Sequence, residues 1–434
     1  MNTKPTQHFV PTAAACLLAL ATMVTAGPAN AQSKGGFEAA PKLPGTELAP
    51  AALLKGPLHK VAEPVSLDGF FGKFVIESNF GKFTVVGERM LAVRVSELPA
   101  IEALQKVNKS AAFQDSLAKS AAAPVKFVVG AVDDPGKAVE SVGKGIGSVF
   151  GRIAYAAKAG AESLGDAASD ATSSPSKAQS PAAPAGEPAP PSFTGDPFGY
   201  NKARREWAKK LNIDPYTTNP VLRPLLNDAA TASFAGSFAV DTALGVVAAP
   251  LNLAVEFDTT VRDAVWNQPA IDLQKQNEAA LIAMGVDARL VRDFLRNTWF
   301  TPTLQTALTN ALAGLGKVDG VESVIRVASQ LQGETRVRFL VESVRMLVRY
   351  HEQAAKFKSV RMNNMVPVGI TDDGTPVAAA AIDYAYWETA AAEFAQRKDF
   401  GARPAVLLIG GKASNRAKQE LEKAGFAIGS GKRP

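Results

Sequence analysis

Few residues in this chain are of the types that carry acid–base or metal chemistry. The 434 residues include three His and one Cys, and both Cys16 and His8 fall within the first 31 residues. Zinc sites in hydrolases usually use several His or Cys ligands. The rest of the chain, with only His59 and His351, leaves carboxylate chemistry, an oxygen-ligated cation or no reaction at all. We therefore predict no metal site and no cofactor.

His351 is the candidate general base. It falls on the apolar stripe of a helix predicted over residues 334–357, seven residues after Val344. A carboxylate from another helix, such as Asp241 or Asp228, would orient its ring for hydrolysis. No Gly-x-Ser-x-Gly pattern selects a nucleophile, and a lone His on an apolar helix face is more often a hydrogen-bonded core residue. A structural His351 is thus favoured, with hydrolysis as the alternative.

A second candidate is an anion-binding loop formed by Gly410, Gly411, Lys412 and Ser414. It lies between a predicted strand and a predicted helix, where backbone N–H groups and the helix N-terminus favour negative charge. The spacing matches neither a Walker A loop nor a dinucleotide fingerprint. A tight turn in which Ser414 caps the helix is the simpler interpretation.

Three glycines spaced by four residues, Gly143, Gly147 and Gly151, line one face of a predicted helix. This glycine-zipper pattern allows close approach of a second helix and also occurs in membrane-associated helices. The charged Lys144 and Arg152 interrupt the stretch and favour helix packing over a membrane-surface role, and a flexible loop is the third alternative.

The first 31 residues have the features of a cleavable signal peptide. A charge-free apolar run from Ala13 to Ala26 follows Lys4, and Ala29-Asn30-Ala31 has the small residues that signal peptidase requires. Lipid attachment at Cys16 is disfavoured because Ala13-Ala14-Ala15 lacks the expected Leu. We predict cleavage after Ala31 and a periplasmic or secreted location.

The order of patterns predicts an α+β, mostly helical protein built from several parts. The parts are an irregular arm over 32–63, a small N-terminal α/β domain over 64–172, a Pro/Ala/Ser linker over 173–192, an irregular helical bundle over 193–362 and a small α/β lobe over 363–434 with the order ββαβαβ.

Two segments carry more specific expectations. Residues 72–76 and 81–86 predict a hairpin, and residues 90–95 predict a third strand followed by a helix that starts near Ser96. The Ala-rich run 229–255 is predicted to form a buried helix pair, because Asp241 and Pro250 disfavour a spanning helix.

Positive charge is concentrated in two predicted helices. The formal net charge is +6, and the basic residues cluster around Trp207 and along 334–361. On a shared face these helices would bind an anionic partner, with Trp207 at the interface. No nucleic-acid motif accompanies them, so a nucleic-acid partner is not expected.

Together these features favour a non-catalytic exported protein, an interaction or scaffold protein of the cell envelope with a protein partner. One alternative is a periplasmic hydrolase that uses His351 and a carboxylate. The other is a lipid-binding envelope protein, in which the glycine-zipper helix and residues 229–255 contact anionic lipid or a membrane surface.

Overall fold

The computed structural model describes residues 36–111, 113–115, 200–234, 259–400 and 404–431. Within these ranges the fold is mixed α/β and mostly helical. The predicted signal peptide, glycine zipper and linker lie outside the described residues, as does Asp241. None of the described helices combines the length and apolar character that crossing a membrane requires.

The N-terminal region is an antiparallel sheet followed by one long helix. The sheet has the order β1-β2-β4-β3, and β5 also pairs with β4. The elements are α1 (Gly45–Leu48), α2 (Ala51–Leu54), β1 (Lys55–Gly56), β2 (His59–Val61), β3 (Ser66–Asp68), β4 (Phe71–Ser78), β5 (Gly81–Val86) and α3 (Glu88–Asn108).

The predicted hairpin is present as β4 and β5, but two other expectations for this region are wrong. Residues 90–95, predicted as a strand, lie inside α3, and Pro99 lies within the helix instead of near its start. The buried residues Leu91, Val95 and Leu98 follow helical spacing, which outweighs the short alternation read as a strand. Residues 45–61, predicted to be irregular, form α1, α2, β1 and β2.

Eight helices form the middle of the described chain. They are α4 (Tyr200–Leu211), α5 (Leu222–Phe234), α6 (Thr259–Asn267), α7 (Ala270–Ala283), α8 (Ala288–Arg296), α9 (Pro302–Gly314), α10 (Val321–Gln330) and α11 (Glu334–Gln353). The helices from α7 onward match the predicted segments closely. The last one ends at Gln353, and residues 357–363, partly predicted as helix, form a strand.

The C-terminal region is a mixed five-stranded sheet with the order β12-β10-β8-β7-β6, in which β8, β10 and β12 run parallel. The predicted hairpin, both helices and both later strands are present, and β6, β9 and β11 are additional. The elements are β6 (Phe357–Asn363), β7 (Val366–Thr371), β8 (Pro376–Ala380), β9 (Tyr384–Ala385), α12 (Thr389–Gln396), β10 (Ala405–Ile409), β11 (Lys412–Ala413), α13 (Asn415–Lys423) and β12 (Phe426–Ser430).

The N-terminal sheet and the helices α4 and α5 share one hydrophobic core. Phe74, Leu91 and Leu104 belong to the same buried cluster as Trp207 and Leu226. Trp207 is fully buried and its indole N–H donates to Ser233 Oγ at 2.9 Å. It is therefore unavailable as the interface residue that the sequence suggested.

Cutting the chain between residues 173 and 192 is expected to leave the two products associated. The sequence there has no large apolar residue with which to protect its backbone, so a protease should cut it early. The shared core then holds the fragments together. Size-exclusion chromatography after limited proteolysis should show one peak that separates into two only in denaturant, and two peaks under native conditions would contradict the shared core.

Candidate functional site

A group of buried and half-buried charged side chains lies where α3, α11 and the loop over residues 212–221 meet. We call it the charge cluster, and its members are Arg94, Glu97, Asp214, Glu334 and Arg338. The side chains of Arg94 and Glu97 are 7% and 4% exposed. Charges are rarely buried to this extent unless they are paired and hydrogen-bonded.

Glu97 is the most fully satisfied member of the charge cluster. Its carboxylate accepts hydrogen bonds from Arg94 Nη1 at 3.1 Å, from Asn219 Nδ2 at 2.8 Å and from the Thr217 hydroxyl. Asn219 in turn accepts the backbone N–H groups of Val221 and Leu222 and so caps α5. One carboxylate thus connects α3 with the start of α5.

Glu334 joins α3 to α11 in the same way. Arg338 donates to Glu334 Oε1 from Nε at 2.9 Å and from Nη2 at 2.7 Å. Thr218 Oγ1 receives a hydrogen bond from Arg94 Nη2 at 2.8 Å and donates to Glu334 Oε1 at 2.9 Å. Burial lowers the pKa of Arg338 to about 10, which leaves it charged at neutral pH.

Asp214 extends the charge cluster to α9. Its Oδ1 accepts from Tyr216 N at 2.8 Å and from Thr303 Oγ1 at 2.7 Å. Burial raises the pKa of this carboxyl above its ordinary value, although the two hydrogen bonds oppose the shift. The loop over residues 212–221 is therefore an ordered junction between α3, α9 and α11.

Two arginines of α11 are not available for the basic surface that the sequence suggested. Arg338 and Arg345 are 8% and 9% exposed, because α11 is packed by α9, β7 and β8, and they pair with Glu334 and Glu342. Arg204 on α4 is likewise buried, with its guanidinium 5.3 Å from the ring centroid of Tyr216.

A second buried carboxyl, Asp383, joins the C-terminal sheet to the N-terminal region. Its Oδ2 accepts hydrogen bonds from Gly72 N at 2.8 Å and from Glu88 N at 3.0 Å. Glu88 is the first residue of α3, and the preceding Gly87 has φ +96, so Asp383 acts as a cap supplied from almost 300 residues away.

Burial raises the pKa of Asp383 to about 7, against the opposing effect of its two backbone hydrogen bonds. Glu88 raises it further and Arg89 lowers it. The carboxyl lines a small cavity of ≈ 20 Å³ with Arg89 and Glu342, whose guanidinium and carboxylate lie 3.6 Å apart. A carboxyl in this setting can exchange a proton near neutral pH.

His351 is buried near the end of α11. Its Nδ1 accepts the backbone N–H of Phe357 at 2.9 Å, and its ring packs against the Phe357 ring with the centroids 5.5 Å apart. Burial lowers its pKa. Asp228 lies on α5, and no hydrogen bond joins it to His351 among the described residues, while Asp241 lies outside them. The catalytic pair suggested by the sequence is therefore not assembled by the part of the chain that the structure describes.

Three backbone N–H groups of the predicted anion-binding loop already have acceptors within the chain. Gly410 N donates to Ala380 O at 2.9 Å, Lys412 N to Asp383 O at 3.0 Å and Ser414 N to Ala385 O at 2.8 Å. A Cβ at Gly411 would lie 1.8 Å from Asp383 O, so this approach requires glycine.

A carboxylate nevertheless lies at the start of the following helix. Ser414 Oγ donates to Glu38 Oε2 at 2.6 Å and accepts the N–H of Ala417 at 3.0 Å as the N-cap of α13. The acid held at this helix N-terminus thus belongs to the N-terminal arm of the chain.

An open cleft of ≈ 250 Å³ lies between α6, α9 and α11. Ala307, Ala311 and Gly314 are among its lining residues. Arg345 and Arg349 also line it, and they bond to Glu342 and to the Gly431 carbonyl. Within the described ranges no group of three or more His, Cys, Asp or Glu side chains is placed to hold a metal ion.

Comparison with known proteins found no matching family model, no similar curated protein and no similar solved structure. The function must therefore be argued from the residues themselves.

Sequence reasoning missed Glu97, Asp383 and Glu38. For Glu97 a signal was present, because the residue falls between Arg94 and Leu98 on the buried face of a helix that starts at Glu88, eight residues before the predicted start near Ser96. Asp383 and Glu38 have partners 295 or more residues away, and no local pattern reports such contacts.

Proposed function

We propose that this chain is a non-catalytic exported protein that acts as an interaction or scaffold protein in the cell envelope. The proposal rests on one observation: its carboxylates accept hydrogen bonds that join distant segments of the chain. Glu97, Glu334 and Asp383 each hold hydrogen-bond donors from segments far apart in sequence. Carboxylates engaged in this way join the surrounding segments to one another, as expected of groups with a structural role.

Export rests on the sequence of residues 1–31, with cleavage after Ala31. The scarcity of His and the absence of Cys after that site fit a structural role, and the engaged Nδ1 of His351 supports it. The hydrolase alternative requires His351 to act as a base. It therefore predicts that replacing His351 abolishes turnover, whereas a structural role predicts no change.

Replacing His351 with Gln is expected to leave any turnover by the protein unchanged, because its ring is a packing element and an acceptor for Phe357 N. The measurement is activity of residues 32–434 on a panel of esters, phosphoesters and peptides, alongside thermal melting. His59→Gln is the matched control, since His59 is the other buried histidine and its Nε2 contacts Leu53 O at 3.0 Å.

A wild-type turnover that falls by about 10²–10⁴-fold in His351→Gln with an unchanged melting temperature would establish the hydrolase instead. Crosslinking in intact envelopes tests the interaction role directly. It should trap the protein in a discrete complex, and a protein that stays at monomer mass contradicts that role.

A further inference from the structure

The small cavity at the start of α3 brings one guanidinium together with two carboxyl groups. Arg89 lies in the first turn of α3, Glu342 on α11 and Asp383 on the loop after β8, and all three line the same space of ≈ 20 Å³. Arg89 Nη2 is 3.6 Å from Glu342 Oε2. No ion pair or hydrogen bond joins Arg89 to Asp383 within the described part of the chain. The guanidinium thus has one partner and a second carboxyl in the same cavity.

Arg89 can leave Glu342 at little cost. Their separation of 3.6 Å is longer than a hydrogen bond, and the Arg89 side chain is 43% exposed, so it can rotate without unpacking a core. Glu342 also has a closer partner, because its Oε1 accepts Arg345 Nη1 at 2.6 Å. A movement of Arg89 therefore leaves Glu342 paired.

Asp383 needs a cation only in its ionised form. Its Oδ2 accepts the N–H groups of Gly72 and Glu88, and no hydrogen bond to Oδ1 is formed among the described residues. The protonated carboxyl is neutral, whereas a buried carboxylate is costly unless a positive charge compensates it. Burial raises the pKa of Asp383 to about 7, so this change of charge falls near neutral pH.

The other groups around the cavity strengthen the attraction between Arg89 and an ionised Asp383. A low-dielectric wall does so by reducing screening, and apolar side chains form part of the wall: Phe71, Met90 and Phe339. Arg338 also lines the cavity, but two hydrogen bonds to Glu334 hold its guanidinium. Glu88 is the neighbouring acid on α3, and its charge raises the pKa of Asp383 while Arg89 lowers it. Arg89 is therefore the cation able to move.

We propose that Arg89 is the moving part of a pH-sensitive switch, pairing with Glu342 while Asp383 is protonated and turning to Asp383 once that carboxyl has lost its proton. The pair seen in the structure corresponds to the protonated form. As the pH rises through neutrality, α3 exchanges an ion pair with α11 for one with the loop after β8.

The first measurement is the titration of Asp383 itself in the full mature chain. Aspartate labelled with ¹³C at its carboxyl gives an NMR signal for Asp383, which is the signal that Asp383→Asn removes. We expect Arg89→Gln to raise the pKa of Asp383 by about 1 or more, because the ionised form loses its countercharge. Glu342→Gln should lower this pKa, because Arg89 then has no competing partner across the cavity.

Two matched variants control this titration. Arg89→Lys keeps the positive charge and should retain most of the wild-type pKa of Asp383. Arg326→Gln removes an exposed arginine of α10 that pairs with Glu322, and it should leave the pKa of Asp383 unchanged.

The second measurement separates a moving Arg89 from a fixed one. A double-mutant cycle of Arg89→Gln and Glu342→Gln, followed by urea unfolding, gives the coupling between these two side chains. We expect the coupling to fall by about half or more between pH 5.5 and pH 8.5. In the Asp383→Asn background it should be equal at the two pH values.

Two results would overturn the switch. One is an unchanged pKa of Asp383 in an Arg89→Gln protein whose melting shows it to be folded. The other is a coupling between Arg89 and Glu342 that is the same at both pH values in the chain that retains Asp383, because Arg89 then stays with Glu342 whatever the charge on Asp383.

Discussion

Replacing Glu97 with Ala is expected to destabilise the protein by about 3–5 kcal/mol, because removing one partner of a buried ion pair leaves the other charge uncompensated. Arg94 would lose its carboxylate at 3.1 Å, and Thr217 and Asn219 would lose their acceptor. Urea denaturation of the mature chain measures the loss. Because Trp207 lies in the same core as α3, its fluorescence reports on this region.

Glu102→Ala provides the matched control on the same helix. Glu102 pairs with Lys106 at 2.9 Å and its side chain is 41% exposed. Exposed pairs of this kind contribute about 0.3–0.5 kcal/mol, so the control should lie close to the wild type. Glu97→Gln keeps the acceptor oxygen and should fall between the two. Similar losses for Glu97→Ala and Glu102→Ala would show that the charge cluster does not hold α3 in place.

The second large effect is a pH dependence that comes from Asp383. Its folded-state pKa of about 7 lies above the ordinary value of 3.8, so between these values the folded protein binds a proton that the unfolded chain does not. Stability from this group is therefore fully present below the unfolded pKa and is lost as the pH rises through 7. The slope approaches about 1.4 kcal/mol per pH unit within that window.

Asp383→Asn removes the titration while keeping an oxygen to accept Gly72 N and Glu88 N. As the pH falls from 8 to 5, the unfolding free energy of the wild type should therefore rise relative to that of this variant. Urea midpoints at four pH values measure this difference. Groups that titrate in both proteins do not contribute to it.

Asp373→Asn serves as the control for Asp383. Hydrogen bonds from Thr371 and Thr375 hold the pKa of Asp373 below its usual range, so it does not titrate between pH 5 and 8. Its stability profile should run parallel to that of the wild type. If the profile of Asp383→Asn is also parallel to that of the wild type, the Asp383 carboxyl is ionised throughout this pH range. The two backbone donors and the N-terminus of α3 favour that ionised form.

The elements that sequence patterns predicted well are those stabilised by local periodicity. The hairpin of β4 and β5 alternates over each strand, and the helices from α7 to α10 carry apolar residues at helical spacing between short glycine breaks. Residues 90–95 show where prediction from local periodicity fails. Leu91, Val93 and Val95 alternate over six residues, but the helical pattern that overrides them extends to Val107.

The candidate site could be predicted far less well, because its contacts are not local. Ser414 was correctly identified as a possible helix cap, but the carboxylate that it binds comes from Glu38, 376 residues earlier. Arg338 and Arg345 lie off the apolar stripe of α11 as the sequence indicates. They are buried because other elements pack on several sides of α11. The residue pattern of one helix does not show which elements pack against it.

The cap that Asp383 places on α3 has a consequence for the order in which the chain folds. A ribosome releases residues 72 and 88 long before residue 383, so α3 and the start of β4 lack this acceptor until nearly the whole chain has been made. Contacts with such sequence separation form late, because loop closure must precede them. The cap on α3 is therefore expected to form only near the end of synthesis, although the strands of the N-terminal sheet can pair with one another much earlier.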